Sequence, residues 1–221
     1  MNEEQFAALR QHMVAEIAAT TVLVGEQIGK YNLDPQVMEV MGKVPRHEFV
    51  PLELQPYAYL NRPLPIGFDK TISQPFIVAL MTDLLQIRTE DVVLEIGTGL
   101  GYQAAILAEL AQKVYSIEIL EPLAAQARKR LGRAGYANIE IRLGNGYHGW
   151  PEHAPFDKVM VTAAPDLIPP SLINQLKPGG RMMVPAGLPD SQQLILVEKG
   201  PDGRLATKEI LPVRFSELEG A

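Results

Sequence analysis

The sequence predicts an α/β fold: a doubly wound, mostly parallel sheet with helices on both faces and an antiparallel edge, preceded by a helical and loop-rich region. Two observations predict this class. From residue 91 onward, apolar runs of strand length alternate with segments of helical spacing, and such alternation is typical of a parallel sheet with right-handed crossovers. The turn GPDGR at 200–204 separates two later strand-like runs, which indicates a closing hairpin and hence an antiparallel edge.

Residues 1–86 are expected to form the helical and substrate-side region, packed with a core of residues 87–221 into one compact unit. Four apolar residues at helical spacing predict the first helix, namely Phe6, Leu9, Met13 and Ile17. Asp34 followed by Pro35 predicts a helix over 35–43, with the acid as its cap. The proline-rich passage from Pro45 to Pro75 is expected to be irregular until Pro75 opens another helix.

In the core, six runs predict strands before a last one near 205–215: DVVLEIG, KVYSIEI, NIEIRLGN, FDKVMVTAA, RMMVPA and QLILVEKG. Helices are predicted at GYQAAILAELAQ, over residues 120–131 and at the short segment SLINQL. The segment KPGG at 177–180 is expected to end the last of these helices. In sheets of this class, ligands lie at the carboxyl ends of the strands, near the point where the strand order reverses.

Composition and charge argue against several classes of protein. The chain has 20 Lys and Arg against 26 Asp and Glu, which disfavours a nucleic-acid partner because such binding requires a basic surface. It has no cysteine, so disulfides and thiolate metal sites are excluded, and no metal is expected. Its apolar stretches are too short to span a bilayer, and MNEEQFAALRQHM lacks the layout of a secretory signal. We therefore expect a cytoplasmic protein without a membrane partner.

The turn after the first core strand indicates the kind of ligand. Glu95 is followed by glycines at 97, 99 and 101, and Tyr102 stands where the dinucleotide pattern G-x-G-x-x-G requires its last glycine. The sequence contains no P-loop, and a carboxylate at Glu95 would repel phosphates but attract an ammonium group. We therefore expect a nucleoside-like, positively charged ligand without phosphates, a description that S-adenosyl-L-methionine fits.

A second acid supports this ligand. Glu118 ends the strand-like run KVYSIEI, one β–α unit after the glycine turn. An acid at that place accepts hydrogen bonds from both ribose hydroxyls of a nucleoside. The alternative is that Glu118 is a solvated strand end without a ligand.

Motifs over most of the chain resemble the protein-L-isoaspartate O-methyltransferase family, within the class I methyltransferases. The segments VPRHEFVP at 44–51, LPIG at 64–67 and TISQP at 71–75 are similar to signature segments of that family. The glycine turn and LKPGGR at 176–181 are shared by many methyltransferases and discriminate less. The resemblance implies methylation of the free α-carboxylate of L-isoaspartyl residues in damaged proteins and peptides, which initiates their repair and releases S-adenosyl-L-homocysteine.

The resemblance also implies roles for individual residues. Ser73 of TISQP is expected in the active site, where its hydroxyl orients the acceptor carboxylate or the methionine part of the cofactor; the alternative is that it caps the helix beginning at Pro75. Substrate contacts are expected from Thr71, Ile66, Thr162 and Phe215. The alternatives to substrate contact are a hydroxyl within a turn for Thr71 and packing in a buried strand for Thr162. Cofactor contacts are expected from Glu95, Gly97, Thr98, Gly99, Gly101, Glu118, Asn145 and Gly146.

The chain departs from the family pattern in four places. Asp69 and Lys70 replace a glycine and a glutamine, Asn145 replaces the aspartate of a G-D-G motif, and Ser216-Glu217 replaces valine-proline in the closing segment. The segment 18–31, ATTVLVGEQIGKYN, is longer than the family's usual helix linker. No motif assigns a function to it.

The implied chemistry requires little from the protein beyond placement. A carboxylate is already ionised near neutral pH, so no general base is needed, and the site must align the reacting groups and exclude water. Three alternatives remain: a methyltransferase with another acceptor such as a small carboxylate or RNA, a non-catalytic relative that binds the cofactor, and an NAD dehydrogenase, which Tyr102 disfavours. We expect a monomer.

Overall fold

The computed structural model describes residues 1–220 and begins with a helical region. Its helices are α1 (Glu3–Leu23), α2 (Gly25–Ile28), α3 (Pro35–Lys43) and α4 (Pro75–Leu85). Between α3 and α4 lie two 3-10 helices and a small antiparallel hairpin: Arg46–Phe49, Leu52–Tyr57, β1 (Leu64–Gly67) and β2 (Lys70–Ile72).

Local signals explain where these helices begin. The Asn2 side chain accepts from the Gln5 amide and the Gln5 side chain accepts from the Asn2 amide, a reciprocal capping box at the start of α1. Asp34 caps α3 through its side chain, with Pro35 in the first turn. The predicted helix over 35–43 and the predicted helix opened by Pro75 are both confirmed.

The rest of the chain alternates strands and helices. The strands are β3 (Val92–Ile96), β4 (Lys113–Glu118), β5 (Ile139–Leu143), β6 (Phe156–Val161), β7 (Leu176–Ala186), β8 (Gln192–Lys199) and β9 (Leu205–Val213). The helices are α5 (Tyr102–Leu110), α6 (Glu121–Arg133) and α7 (Pro170–Asn174).

Seven strands form one sheet in the order β5-β4-β3-β6-β7-β8-β9. The neighbouring strands from β5 to β7 are parallel, whereas β8 and β9 add an antiparallel edge. The predicted fold class is confirmed. The chain starts the sheet at β3, builds outward to β5 and returns to β6 beside β3, so the strand order reverses between β3 and β6. Ligand sites of such sheets lie at the carboxyl ends of these two strands.

One predicted strand boundary was wrong. The strand predicted at RMMVPA begins earlier, at Leu176, and therefore includes the KPGG segment that was expected only to stop the preceding helix. Helix α7 does end at Asn174. The pairing with β6 passes from Phe156–Leu176 directly to Lys158–Arg181, so residues 177–180 form an irregular, bulged part of β7.

Apolar residues cover both faces of the sheet. One buried cluster joins the amino-terminal helices to α5 and the sheet, and includes Met13, Met41, Leu80 and Ile106. A second cluster on the other face contains Phe156 and the side chains packed around it. No helix within residues 1–220 is both long and apolar enough to cross a membrane.

Candidate active site

The glycine turn after β3 forms one side of a cavity at the carboxyl ends of β3, β4 and β6. This glycine-turn cavity is lined by Gly97, Thr98 and Gly99, among others. Gly97 has φ +92°, and a Cβ there would lie 2.5 Å from Thr162 Oγ1. Gly99 has φ +56°. Both positions therefore favour glycine, which leaves bare backbone facing the cavity.

Gly101 has a different role from the other two glycines. It has φ +100° and is the N-cap residue of α5. A Cβ on Gly101 would lie 2.9 Å from Leu131 Cδ1, so this glycine lets α5 approach α6. The cavity lining contains the flanking Leu100 and Tyr102 but not Gly101.

Glu118 ends β4 at the rim of the cavity and is 6% exposed. Its Oε2 accepts from the Gly99 amide at 2.8 Å, and its Oε1 accepts from the Leu120 amide at 2.9 Å. Burial raises the pKa of this carboxyl, and the backbone hydrogen bonds oppose the rise. The alternative of a solvated strand end was wrong. The amides hold the carboxylate in place while lone pairs remain for a ligand's hydroxyls.

Glu95 lies beneath the turn instead of in the cavity lining. It is fully buried, its Oε2 accepts from the Ser116 hydroxyl, and its Oε1 has no hydrogen-bond partner within the described residues. Ser116 Oγ also lies 2.5 Å from Thr98 Oγ1. Burial raises the pKa of Glu95 to about 8, although the bond from Ser116 opposes it. The expected contact between Glu95 and a ligand ammonium group does not fit this position.

We expect the Glu95→Gln substitution to flatten the pH dependence of stability. The carboxyl of the unfolded chain releases its proton near pH 4.5 and that of the native state near pH 8. The native state therefore binds the extra proton between these values, and its free energy of unfolding falls as pH rises, by up to about 1.4 kcal/mol per pH unit from this group. Urea denaturation of both chains from pH 5 to 8.5 tests this, and parallel curves would contradict it.

The structure brings Gly146, but not the Asn145 side chain, to the cavity. A Cβ on Gly146 would lie 2.3 Å from Ile96 Cγ2, so glycine is required for close packing. Asn145 Oδ1 accepts from the Tyr147 amide at 2.8 Å and its Nδ2 donates to Gly220 O at 2.6 Å. Asn145 caps the following 3-10 helix and does not line the cavity, so the expected hydrogen bond from an adenine amino group to its carbonyl does not fit this position.

The carboxy-terminal tail, residues 214–220, supplies more lining than Phe215, the one tail residue that was predicted to contact substrate. Ser216 to Glu219 line the glycine-turn cavity. The Ala164 amide donates to Ser216 O at 2.8 Å, which holds the tail beside the end of β6. Lys70 Nζ lies 2.5 Å from Glu219 Oε1 and links the β1–β2 hairpin to the tail. The only signals in the sequence were departures from the family pattern at Lys70 and at 216–217.

Ser73 lies directly after β2 and lines both the glycine-turn cavity and a second, adjoining cavity. This second cavity, here called the outer groove, is lined by Thr20, Gln27, Thr71, Ser73 and Phe215, among others. The alternative that Ser73 caps α4 was wrong. The N-cap residue Gln74 makes no side-chain cap bond, and Asn61 Oδ1 accepts from the Phe76 amide at 3.0 Å.

A fully buried arginine fixes the backbone at Ser73. Arg46 Nη2 donates to Ser73 O at 2.7 Å and Nε donates to Ala58 O at 2.8 Å. The guanidinium carbon lies 4.8 Å from the ring centroid of Tyr102. Burial lowers the pKa of Arg46 to about 10, so the side chain stays charged at neutral pH. The carbonyl of Ser73 is thus held by a charged donor, which makes a strong hydrogen bond.

Three of the residues predicted to contact substrate lie near Ser73. Thr71 and Thr162 line both cavities, and Ile66 lines the glycine-turn cavity. Thr162 Oγ1 is within donating distance of Ile96 O at 2.9 Å and of Gly97 O at 2.7 Å, so it also holds the glycine turn. Phe215 lines only the outer groove.

A family model described as protein-L-isoaspartate(D-aspartate) O-methyltransferase matches residues 19–220. The chain belongs to this family. A protein-L-isoaspartate O-methyltransferase 1 of Polaromonas sp. strain JS666 is 70% identical over 100% of this chain and 94% of the relative. A protein-L-isoaspartate O-methyltransferase 2 of Syntrophobacter fumaroxidans is 59% identical over 99% of this chain and 89% of the relative.

Solved structures agree with this assignment. A protein-L-isoaspartate O-methyltransferase superposes with a TM-score of 0.81 at 29% identity, over 96% of this chain and 66% of the solved one. A Plasmodium falciparum structure in complex with S-adenosyl-L-homocysteine gives a TM-score of 0.76 at 21% identity, over 92% of this chain and 97% of the solved one. The second match supports the fold alone. The predicted resemblance to the protein-L-isoaspartate O-methyltransferase family is confirmed.

The cavity of this methyltransferase fits S-adenosyl-L-methionine. Gly97, Gly99 and Gly146 place backbone where side chains would otherwise fill the space. Three acidic residues line the cavity, namely Glu118, Glu217 and Glu219, whereas Lys70 is the one cationic side chain among the described lining residues. This excess of negative charge favours a positively charged ligand. Within residues 1–220, no group of three or more His, Cys, Asp or Glu side chains is arranged to hold a metal ion.

Proposed function

We propose that this chain transfers the methyl group of S-adenosyl-L-methionine to the free α-carboxylate of L-isoaspartyl residues in damaged proteins and peptides, and so initiates their repair. The observation that carries the proposal is the position of Ser73. It stands where the glycine-turn cavity meets the outer groove, so a cofactor held in the first and an acceptor entering from the second meet at its hydroxyl.

The lining of the glycine-turn cavity supports a set of cofactor-binding residues. Glu118, held by two amides, would accept from the ribose hydroxyls, and the bare backbone at Gly97 and Gly99 would allow the cofactor to approach closely. Gly146 and Leu218 are neighbours in the cavity lining and would pack against the base of the cofactor. When bound, the cofactor supplies an electrophilic methyl group on a sulfonium. The acidic residues of the lining would stabilise that positive charge.

The acceptor needs orientation and a dry environment. Its carboxylate is ionised at neutral pH, so Ser73 acts as a hydrogen-bond donor and not as a nucleophile or a base. Thr71 and Thr162 lie on the same boundary. The Thr162 hydroxyl donates to the backbone of the glycine turn, so it is a hydrogen-bond acceptor for a peptide amide of the acceptor and not a donor to its carboxylate. The tail and the β1–β2 hairpin, linked through Lys70 and Glu219, cover the cavity. Exclusion of water matters because water stabilises the separated charges of the reactants more than it stabilises the transition state.

Methyl transfer from labelled cofactor to paired synthetic peptides tests the proposal. We expect labelling of a peptide that contains L-isoaspartate, and none of the same peptide with normal aspartate. Equal labelling of both peptides would indicate another acceptor class. Calorimetric binding of S-adenosyl-L-homocysteine without transfer to any isoaspartyl peptide would support a non-catalytic relative instead. We further propose that the chain acts as a cytoplasmic monomer without a nucleic-acid partner.

A further inference from the structure

The outer groove is continuous with the glycine-turn cavity. The two share Thr71, Ser73, Thr162 and Ser216 as lining residues, and the groove has a volume of about 750 Å³. A peptide whose carboxylate reaches Ser73 from outside therefore has its neighbouring residues in this groove. The side chains that line the groove are in a position to select among those neighbours.

One wall of the groove comes from the segment 18–31, to which no motif assigns a function. Thr20, Val24 and Gln27 line the groove from this segment. Helix α2 within it packs against the edge strand β9 and buries Ile28. The segment thus runs from the end of α1 through α2 to the edge of the sheet, and encloses the groove on that side.

Hydrogen bonds connect this wall to the active-site segment. Asn61 Nδ2 donates to Thr20 Oγ1 at 3.2 Å, and the Phe76 amide donates to Asn61 Oδ1 at 3.0 Å. Gln74 Nε2 donates to Asn61 O at 3.0 Å. Because Gln74 directly follows Ser73, Asn61 connects the wall at Thr20 to the segment that carries the active-site serine.

The facing wall comes from the end of β9 and the start of the tail. Its apolar lining residues are Leu211, Pro212, Val213 and Phe215. Arg214 is the one charged side chain among the described residues that line the groove. A groove of this composition accommodates an apolar neighbour by burying its surface. It disfavours lysine or arginine, because a second cation would be repelled by Arg214.

We infer that residues 20–27 form a specificity wall that contacts the residue adjacent to the isoaspartate, and that this wall together with Arg214 selects apolar over basic neighbours. The inference rests on the proposed function and adds to it a preference of the acceptor site. It assigns a role to the segment that distinguishes this chain from the usual family pattern.

A pair of substitutions on α2 tests the wall. Gln27 and Glu26 are exposed neighbours, and only Gln27 lines the groove. We expect Gln27→Trp to raise the KM for an isoaspartyl peptide about tenfold with little change in kcat, because the indole fills space used for binding and not for chemistry. Glu26→Trp should behave as the parent chain. Both variants should bind S-adenosyl-L-homocysteine with unchanged affinity.

A peptide series tests the selection. The peptides differ only in the residue next to isoaspartate, which is leucine, glutamate or lysine. We expect kcat/KM for the lysine peptide to be about fivefold below that for the leucine peptide in the parent chain, and Arg214→Gln to remove this difference. Identical behaviour of Gln27→Trp and Glu26→Trp, or an unchanged ranking in Arg214→Gln, would refute the wall while leaving the proposed function intact. A parent chain that methylates none of the peptides would refute the proposed function, and the wall with it.

Discussion

We expect the Ser73→Ala variant to fold and to bind S-adenosyl-L-homocysteine as the parent chain does, but to transfer methyl groups about 100-fold more slowly. The Ser73 hydroxyl does not cap α4, because Asn61 serves the Phe76 amide, so its loss leaves the helix start intact. The backbone remains held through the hydrogen bond from Arg46 to Ser73 O. What is lost is the donor that orients the acceptor carboxylate, and misplaced reacting groups lower the rate steeply.

The measurement is kcat with labelled cofactor and an isoaspartyl peptide at saturation. Ser191→Ala serves as the matched control, since Ser191 is an exposed residue that lines neither the glycine-turn cavity nor the outer groove. Thermal unfolding and calorimetry with S-adenosyl-L-homocysteine establish that Ser73→Ala retains its fold and its cofactor site. Turnover close to that of Ser191→Ala would show that Ser73 has no role in the transfer.

The core of the fold was predictable because its signals are local. Strand-length apolar runs, the glycine turn and Asp34-Pro35 each specify their own element, and the parallel sheet follows from their alternation. The β1–β2 hairpin was missed for an equally local reason. Its turn places Phe68 and Asp69 at φ +55° and +56°, a conformation that usually indicates glycine or asparagine. The surrounding prolines instead indicated irregular structure, whereas Pro65 lies in the exposed part of a short strand.

The position of each acid relative to the end of its strand limited the prediction of the site. Successive residues of a strand face opposite sides of the sheet. Ile96 lines the cavity, whereas Glu95, one residue earlier, is in register with Ser116 of β4 and bonds to it below the turn. Glu118 does reach the rim because β4 ends there. A motif places both acids near the ligand, and both lie on the same face of the sheet, because Glu95 pairs with Ser116, two residues before Glu118. Their position along the strand differs: Glu95 lies one residue before the end of β3, whereas Glu118 is the last residue of β4 and reaches the rim.

Contacts between distant parts of the chain account for the rest. The tail reaches the cavity because Ser216 pairs with Ala164 and Glu219 with Lys70, and no local pattern indicates either pair. The position of segment 18–31 likewise depends on a long-range contact, the packing of α2 against β9. These are the regions where this chain departs from the family pattern, so resemblance alone could not assign them.

Replacing Glu118 by alanine should weaken the binding of S-adenosyl-L-homocysteine at least about 100-fold. Each charge-assisted hydrogen bond from a ribose hydroxyl contributes about 1.5–3 kcal/mol, and the loss of two corresponds to two or more factors of ten in Kd. The side chain also anchors the Gly99 amide at 2.8 Å, so the glycine turn becomes less ordered in the same variant. Both effects act on the cofactor and neither on the acceptor.

Two further variants separate these effects. Glu118→Gln keeps one oxygen acceptor, loses the charge and places its NH2 group against one of the two backbone amides that the carboxylate serves. We expect an intermediate Kd, because a neutral acceptor makes weaker hydrogen bonds. Glu121→Gln is the matched control, since Glu121 is exposed at the start of α6 and does not line the cavity. Isothermal calorimetry supplies the three constants, and thermal unfolding of the ligand-free chains shows whether the fold is retained. A Kd for Glu118→Ala equal to that of Glu121→Gln would contradict the proposal that Glu118 accepts hydrogen bonds from the ribose, because removal of that carboxylate takes away two charge-assisted hydrogen bonds.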